Sequence, residues 1–325
     1  MNRIRFSAIA VLAATANALL AATPAQPYPQ RPLRLIVPNG AGGSTDFVAR
    51  LVAGKLAEAL GQQVIADNRG GSGGIIGTEI VAKAAPDGHT LLIGTIGNLA
   101  ISPHLYRKLG YDALRDFAPV SQLSSAAYML IINPGLPARS VREFVAYGKS
   151  KPGQITYASA GSGTGSHLSA VLFTSVAGLD LIHVPYKGAA PAMTDIIANQ
   201  VQLMVNGVTS SLPQVNSGRL RALAVTAPRR VAAAPDLPTL AESGIHGAES
   251  TSWTGVLVPA ATPPQIVERL NLALRAILDS PDVKNRFATD GAEVAGGPAA
   301  DFARYIREEH AKWGKVVRAT GARAD

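Results

Sequence analysis

Three loops rich in glycine, serine and threonine constrain this chain more than any other feature, and they lie at residues 39–46, 69–77 and 159–166. Each follows a short apolar run of strand length and precedes a segment with helical periodicity. Glycine permits positive φ and lets a ligand approach the main chain closely. A helix that begins at such a loop directs its unpaired N–H groups and positive dipole end toward it. The three loops therefore predict a site for a small anion.

Strand and helix patterns alternate along most of the chain. The order from residue 33 to residue 94 is βαβα with a final strand, and a similar alternation restarts at residues 128–132. This order predicts two doubly wound α/β units built on parallel sheets. A third section begins near Trp253 and has long helices but few strands, so we expect it to pack on the first unit.

The predicted domains are residues 27–125 together with 250–325, and residues 126–249. The length of 325 residues favours two domains over one. The chain would cross between them near residues 122–127 and 249–253. Two lobes joined by two crossovers create a hinge and a cleft. Because α/β sheets bind ligands beyond the carboxyl ends of their strands, we expect the site in that cleft.

The first 26 residues have the pattern of a signal peptide. Arg3 and Arg5 precede an apolar run over residues 8–22, and small residues at 22–25 suit cleavage. We expect a periplasmic mature chain, with an uncleaved N-terminal anchor as the alternative. The chain has no cysteine, which fits export without disulfides and excludes thiolate metal sites and cysteine nucleophiles. Aromatic residues make up only 5%, which argues against nucleic-acid binding by base stacking.

A serine hydrolase is the main alternative function. Ser72 lies in a sequence that matches a nucleophile elbow, and Ser162 lies in the third loop. Either serine would need a histidine and an acid as partners, and only scattered histidines follow. The six histidines show no metal-ligand spacing, and the three loops lack a complete dinucleotide fingerprint or P-loop. We therefore expect no catalytic residue, no metal and no cofactor.

Two residues at the loop–helix junctions each allow two interpretations. Asp46 follows Ser44 and Thr45, either of which is predicted to cap the first helix. Asp46 either only stabilises that helix or also orients the loop amides or meets the ligand. His167 opens the helix after the third loop, where it either lines the cleft or only caps the turn.

Several segments carry a recognisable combination of motifs: residues 28–38 (YPQRPLRLIVP), 42–46 (GGSTD), 67–69 (DNR) with the glycines at 73 and 74, 84–88 (AAPDG), 183–188 (HVPYKG), 220–226 (LRALAVT) and Trp313. In this combination the chain resembles the Bug family, the periplasmic solute-binding proteins of tripartite tricarboxylate transporters. The resemblance covers essentially the whole mature chain. It implies a two-lobed Venus flytrap fold without catalysis. It also implies that one large and one small membrane subunit receive the ligand. We expect the binding protein itself to be a monomer.

In that family, main-chain and hydroxyl groups of the loop after the first strand hold a ligand carboxylate, often through ordered waters. The resemblance and the loops together predict a set of ligand-binding residues: Gly42, Gly43, Ser44, Thr45, Asp46, Thr95, Gly97, Asn98, Ser162, Gly163, Thr164, Ser166, His167, Tyr186 and Asn206. The predicted function is capture of a small carboxylate for a transporter. A sensor that presents its ligand-bound form to a membrane receptor stays open as an alternative.

The chain departs from the family pattern at two places. Asn206 stands where relatives usually carry an acidic residue, which would suit a ligand amine. This change favours a plain carboxylate over an amino acid. Residues 39–41 are also more polar than the usual proline-rich version, so the mouth of the pocket is expected to differ.

Overall fold

The computed structural model describes residues 28–289 and 291–323, so the predicted signal peptide lies outside the described residues. The strands are β1 Leu33–Val37, β2 Val64–Asn68, β3 Thr90–Thr95, β4 Phe117–Ile132, β5 Thr156–Ser159, β6 Ile182–Pro185, β7 Leu203–Gly207, β8 Arg221–Val225, β9 Thr251–Pro259 and β10 Ala292–Val294. The α-helices are α1 Ser44–Leu60, α2 Ile75–Ala82, α3 Ser102–Leu105, α4 Val141–Lys149, α5 Gly165–Ala177, α6 Ala189–Ile197, α7 Val208–Asn216, α8 Pro264–Asp279, α9 Pro281–Thr289 and α10 Ala299–Thr320. A 3₁₀ turn, Ser72–Gly74, precedes α2, and a π-helical turn, Gly97–Ile101, precedes α3.

The strands follow the order β2-β1-β3-β9-β4-β7-β5-β6, with β8 and β10 also paired to β4. Strands β1 to β3 are parallel to one another, as are β5 to β7, which confirms the predicted α/β character. The sheets are nevertheless mixed, because β9 runs antiparallel to β3 and β4 antiparallel to β7. We call the part built on β1–β3, β9 and β10 the first lobe, and the part built on β5–β8 the second lobe. The domain limits predicted above stay a prediction.

The apolar runs at residues 128–132 and 256–258 predict short strands, and β4 and β9 both extend well beyond these runs. The first part of β4 pairs with β9, and its last five residues pair with β7. The two segments that pass between the lobes therefore lie side by side, with Ala127 opposite Thr251. The extra length was missed because residues 121–127 are rich in serine and alanine and lack an alternating apolar pattern.

The spacing of apolar residues predicts one buried face for α1, and the helix follows that face only in part; the predicted members are Val48, Leu51, Val52, Leu56 and Ala59. Val48, Val52 and Leu56 are buried in the first lobe's core, as predicted, and each contributes roughly 1.5–3 kcal/mol of burial free energy. Ala59 is exposed, so its place on that face was wrong. The helix ends at Gly61, which has the expected left-handed conformation.

The predicted helix caps have mixed outcomes. The spacing of Ser140 and Glu143 predicts a capping box, and Ser140 does cap α4, since its hydroxyl accepts a hydrogen bond from the Glu143 amide. Ser44 and Thr45 do not cap α1, which begins at Ser44 with Gly43 as N-cap. Thr262 precedes a helical pattern and is predicted to cap it, but the N-cap of α8 is Pro263, without a side-chain hydrogen bond.

The last helix, α10, is fixed to the first lobe by a buried carboxylate. Trp253 of β9 and Trp313 of α10 are fully buried, and both indole N–H groups donate to Glu309 Oε2, at 3.2 and 3.1 Å. These bonds satisfy the polar atoms of both large rings inside an apolar cluster. Over residues 28–289 and 291–323, the helices fall short of the length and apolar character needed to span a bilayer.

Candidate functional site

A small cavity of about 70 Å³ lies between the two lobes. It is lined by Asn39, Gly40, Gly43, Ser44, Thr45, Gly73, Thr95, Ile96, Gly97, Tyr128, Ala160, Thr164, Gly165, Ser166, Gly188, Ala189, Asn206, Gly207 and Ser252. The loops after β1, β2, β3, β5, β6 and β7 all contribute to it. The cavity therefore occupies the position at the carboxyl ends of the strands that the sequence predicted.

Four helices begin at this cavity. The N-cap residues of α1, α5, α6 and α7 all line it, and they are Gly43, Thr164, Gly188 and Gly207. The first turn of each helix has N–H groups without an intrahelical acceptor, and the dipole adds a positive partial charge there. Helix α1 belongs to the first lobe and the other three to the second, so both lobes present positive helix ends to the same space.

None of the described residues that line the cavity carries a charged side chain. Its polar side chains are instead hydroxyls and amides, those of Ser44, Thr45, Thr95, Thr164, Ser166, Asn39, Asn206, Tyr128 and Ser252. Hydroxyl, amide and main-chain N–H donors can together bind an anion in a water-poor site. The arrangement can hold an anionic group without forming a salt bridge.

Asp46 holds the first loop but does not line the cavity. Its carboxylate accepts hydrogen bonds from the Gly42 amide, from Asn68 Nδ2 and from Arg50 Nε, each at 3.0 Å. Burial alone would raise the pKa of Asp46, but these hydrogen bonds together with the Arg50 charge hold it below the ordinary value. Gly42 and Asp46 face a neighbouring groove that also contains Arg50. Of the two interpretations, the contacts favour orientation of the loop amides.

His167 supports the third loop from behind. Its imidazole is buried outside the cavity lining, and its Nδ1 accepts a hydrogen bond from the Gly163 amide at 3.2 Å. The ring stacks on His183 at 4.1 Å between centroids, and His183 Nε2 lies 2.7 Å from Ser159 Oγ. Burial, with a contribution from His183, lowers the pKa of His167 to about 3, and burial lowers that of His183 to about 4. Both rings are therefore neutral near pH 7, which leaves Nδ1 of His167 able to accept.

The second loop contributes Gly73 to the cavity, a residue that was not in the predicted ligand-binding set. Ser72 next to it has a φ of 46°, in the left-handed region. The described histidines direct their hydrogen bonds elsewhere: His183 to Ser159, His167 to Gly163, and the remaining bonded ones to residues remote from Ser72. Ser72 and Ser162 thus have no imidazole hydrogen-bonded to them among residues 28–289 and 291–323.

Eight of the predicted ligand-binding residues line the cavity: Gly43, Ser44, Thr45, Thr95, Gly97, Thr164, Ser166 and Asn206. The others support it or lie beside it. Asn98 is fully buried behind Thr95, from whose amide and hydroxyl its Oδ1 accepts at 2.7 and 2.8 Å. Ser162 and Tyr186 line an adjoining cavity, where the Tyr186 hydroxyl donates to Asp195 at 2.6 Å. Gly163 lies in the third loop, against Tyr106 and Ser102.

The strands that join the lobes form part of the site, which sequence reasoning missed. Tyr128 of β4 and Ser252 of β9 line the cavity, and Gly165 makes room for the Tyr128 hydroxyl because it has no side chain. Burial raises the pKa of Tyr128, so its phenol stays protonated and can donate. No local motif marks either residue. Only the pairing of β4 with β9 brings them together.

Asn206 lies in the cavity wall at the end of β7. Its Nδ2 donates to Ser210 Oγ at 2.9 Å and to Ser211 Oγ at 3.0 Å, so the side chain is fixed by helix α7. Ser166 is fixed in the same wall, since its hydroxyl donates to the Val205 carbonyl at 2.5 Å. Asn206 is neutral, and the described lining residues include no acidic side chain that could take its place. In the described part of the chain, histidines and carboxylates do not cluster in groups of three that could hold a metal ion.

Comparison with known proteins agrees with this geometry. Residues 48–322 match TctC, the tripartite tricarboxylate transporter family receptor. The chain belongs to this family. Protein BugT of Bordetella pertussis is 36% identical over 325 residues, a region that covers 99% of each chain. The membership confirms the resemblance to the Bug family.

Two solved structures of relatives show the same fold. An R. palustris protein solved with adipate is 38% identical, with a TM-score of 0.89 over 91% of this chain and 99% of that one. MatC from Rhodopseudomonas palustris, solved with bound malate, is 34% identical, with a TM-score of 0.86 over 89% of this chain and all of MatC. The protein therefore has the two-lobed α/β fold of the periplasmic binding proteins.

Proposed function

We propose that this protein captures a small carboxylate in the cavity between its lobes, in the periplasm, and delivers it to a tripartite tricarboxylate transporter. The observation that carries the proposal is the meeting of four helix N-termini in a cavity without a charged lining residue. Adipate and malate, found in two relatives, are both dicarboxylates, which fits helix ends facing the cavity from both lobes.

The absence of a cation from the described lining residues bears on release as well as on binding. Charge-assisted bonds from N–H groups to a carboxylate are stronger than neutral hydrogen bonds. Without an arginine or lysine partner, the ligand can leave when the lobes separate and water re-enters the cavity. This behaviour suits a protein that hands its ligand to membrane subunits. A hydrolase receives no comparable support, since over residues 28–289 and 291–323 no histidine is hydrogen-bonded to Ser72 or Ser162.

Asn206 supports a carboxylate without an amine as the ligand. A ligand ammonium group needs an acidic acceptor in a closed cavity, because an unpaired charge there is costly. The wall offers only the amide of Asn206 and neighbouring hydroxyls. We expect simple dicarboxylates to bind more tightly than amino acids of equal length.

A melting-temperature panel tests the proposal. The mature chain is unfolded, dialysed and refolded to remove retained ligand, then melted with adipate, malate, succinate, citrate, glutamate and phosphate. A ligand at a hundred times its dissociation constant stabilises the fold by about 2.7 kcal/mol. A shift with one carboxylate class supports the proposal, and no shift with any anion contradicts it. Tighter binding of glutamate than of every dicarboxylate contradicts the role given to Asn206.

Delivery needs a separate test, because binding alone does not distinguish transport from sensing. Uptake of the radiolabelled carboxylate identified by the panel is measured in cells with the gene deleted. We expect uptake to fall and to return when the wild-type gene is supplied. Normal uptake in the deletion strain, with binding intact in the purified protein, contradicts the transport role.

A further inference from the structure

The two lobes touch each other through two glycines that line the cavity. Gly40 of the first lobe faces the second lobe so closely that a β-carbon on it would lie 2.7 Å from the Lys187 carbonyl oxygen. Gly207 of the second lobe faces Ser44 of the first, and a β-carbon there would overlap Ser44 Oγ and lie 3.2 Å from its Cβ. A β-carbon in a folded protein essentially never lies within 3.0 Å of a non-bonded atom, and both the Lys187 oxygen and Ser44 Oγ would fall inside that limit. Gly40 therefore has room only for glycine while the lobes are in contact, and Gly207 accepts a methyl group only if Ser44 moves.

Space, and not backbone conformation, is what excludes a side chain at these two positions. Gly207 has φ −56° and ψ 135°, values that any residue adopts. Gly40 is not among the glycines with positive φ. Each lobe alone could therefore accept alanine here without backbone strain. A β-carbon on Gly73 would also meet the second lobe, at the Ser162 carbonyl. Because Gly73 has a φ of 65°, alanine there would add backbone strain to the steric contact, and a measurement could not separate the two.

The atoms that face these two glycines differ in how far they can move aside. The Lys187 oxygen belongs to the backbone just before helix α6, so a methyl group on Gly40 would have to be accommodated by moving one lobe relative to the other. The Ser44 hydroxyl can rotate away from a methyl group on Gly207, but that rotation breaks the hydrogen bond it donates across the cleft to Ser210 Oγ at 3.1 Å. Ser44 Cβ cannot rotate away and would stay 3.2 Å from the added carbon unless the lobes moved apart slightly.

We propose that Gly40 and Gly207 set how closely the two lobes approach each other, and that a side chain at either position keeps the cleft ajar around a bound ligand. This inference rests on the proposed function, since closure is defined by the ligand it encloses. A cleft held ajar admits water to the helix N-termini and weakens their contacts with an anion. It also separates Ser44 from Ser210. The effect falls mainly on the dissociation rate, because the lobes of the variant still fold and still meet the ligand.

Three variants test the inference: Gly40→Ala, Gly207→Ala and the control Gly54→Ala. Gly54 lies within α1, and no other atom lies within 4 Å of its β-carbon position. The dissociation constant for the carboxylate found by the panel is measured for each, with the radius of gyration from X-ray scattering with and without that ligand. We expect tenfold or weaker binding and a smaller ligand-induced contraction for the first two variants. The control should match the wild type, and ligand-free melting curves should show all three folded.

A second measurement separates steric contact from loss of cavity space at Gly207. Ser44→Gly removes both atoms that the added methyl group would meet. Gly207→Ala is therefore expected to cost tenfold or more in affinity in the wild-type background but less than threefold in the Ser44→Gly background. Equal costs in the two backgrounds overturn the role of Gly207 as a contact between the lobes.

The outcomes distinguish this inference from the function on which it rests. A wild type that binds no carboxylate overturns the proposed function and this inference with it. A wild type that binds and contracts, while Gly40→Ala and Gly207→Ala bind and contract equally well, overturns this inference alone. If the Gly54→Ala control loses as much affinity as Gly40→Ala and Gly207→Ala, this inference is also overturned. An equal loss at Gly54, which faces no atom of the other lobe, could not come from contact between the lobes.

Discussion

The first and third glycine loops present helix N-termini to the same cavity but are held in place by different chemistry. A charged carboxylate organises the first loop: Asp46 bonds the Gly42 amide, Asn68 and Arg50. Neutral rings organise the third: His167 accepts from the Gly163 amide and stacks on His183. One loop therefore depends on an ion pair and the other on uncharged imidazoles.

Solvent exposure explains the difference. The Arg50 side chain is 55% exposed, so water and protein share the solvation of the pair with Asp46. His167 is buried within the second lobe, where an ion pair would lose much more hydration than it regains. A neutral ring with a free lone pair can orient a loop amide there without that cost. The main-chain amides of a binding loop can therefore be oriented either by an ion pair or by a neutral ring. The two loops should accordingly respond differently to mutation, pH and salt.

The largest effect is expected from Asp46→Ala. This change leaves the Gly42 amide, Asn68 and Arg50 without their shared acceptor, and hydrogen bonds to a charged group contribute about 1.5–3 kcal/mol. We expect ligand affinity to fall about ten- to hundredfold in calorimetric titration, since 1.4 kcal/mol is a factor of ten. Asp301→Ala, which removes an exposed carboxylate paired with Arg304, is the matched control. Equal affinity for Asp46→Ala and the control would show that the first loop is ordered without the carboxylate.

His167→Ala is expected to have the next largest effect. It removes the acceptor of the Gly163 amide and the stacking partner of His183, and losing a neutral acceptor for a buried N–H costs about 1–3 kcal/mol. His167→Asn can restore an acceptor near the Nδ1 position. We expect the alanine variant to lose melting temperature and ligand affinity, and the asparagine variant to recover most of the affinity. If asparagine recovers nothing, the imidazole acts only by filling space.

A pH scan separates the two loops with a moderate effect. The pKa values of His167 and His183 are about 3 and 4 in the folded chain, below the ordinary 6.5. Between about pH 6.5 and 4 the unfolded chain therefore binds more protons than the folded one, so the free energy of unfolding falls as the pH falls. The Asp46 pKa lies below its ordinary 3.8, so its contribution is lost only at lower pH. Asp46 in the first loop therefore contributes little to the change in unfolding free energy between pH 6.5 and pH 4.

Melting temperatures at pH 7 and pH 4.5 measure this difference. We expect the double variant His167→Asn, His183→Asn to lose less melting temperature on acidification than the wild type, and Asp46→Ala to lose as much as the wild type. His104 and His310, whose pKa values burial also lowers, are present in all three proteins and cancel in the comparison. If the double variant lost as much melting temperature on acidification as the wild type, the claim that His167 and His183 stack as neutral rings would be contradicted.

The smallest effect is expected from Arg50→Gln. The Arg50 side of this pair is exposed to water although Asp46 is buried, and ion pairs at the protein surface contribute about 0–1 kcal/mol and are screened by salt. Ligand affinity should fall less than fivefold at low salt, and the difference from wild type should shrink in 0.5 M sodium chloride. The His167→Asn variant, measured in parallel, should show no salt dependence beyond that of the wild type. A tenfold, salt-independent loss for Arg50→Gln would mean that Arg50 contacts the ligand itself.

The parts of the site that the sequence predicted are those with local signals. Glycines after apolar runs located the beginnings of α1 and α5, and with them Ser44, Thr45 and Ser166 in the cavity wall. The family resemblance added Thr95 and Gly97. The resemblance also placed Asn98, three residues on, in the site, and its amide bonds to the buried groups of Thr95 and Thr78 behind the cavity wall.

The parts that could not be predicted depend on contacts distant in sequence. Tyr128 and Ser252 enter the cavity because β4 and β9 pair over residues separated by more than a hundred positions. The tight fit of Gly40 and Gly207 depends on how the lobes meet, which no local pattern encodes. Antiparallel pairing within otherwise parallel sheets also arises from these joining strands, so the sequence predicted the α/β class but not the mixed sheet.

We propose that main-chain N–H and hydroxyl groups hold the anion, with no charged side chain in contact with it. A crystal structure with the carboxylate identified by the melting panel tests this most directly. We predict carboxylate oxygens about 2.7–3.2 Å from the amides or hydroxyls of Ser44 and Thr45, directly or through one water. A carboxylate paired instead with Arg50 or Lys187 outside the cavity would contradict the account.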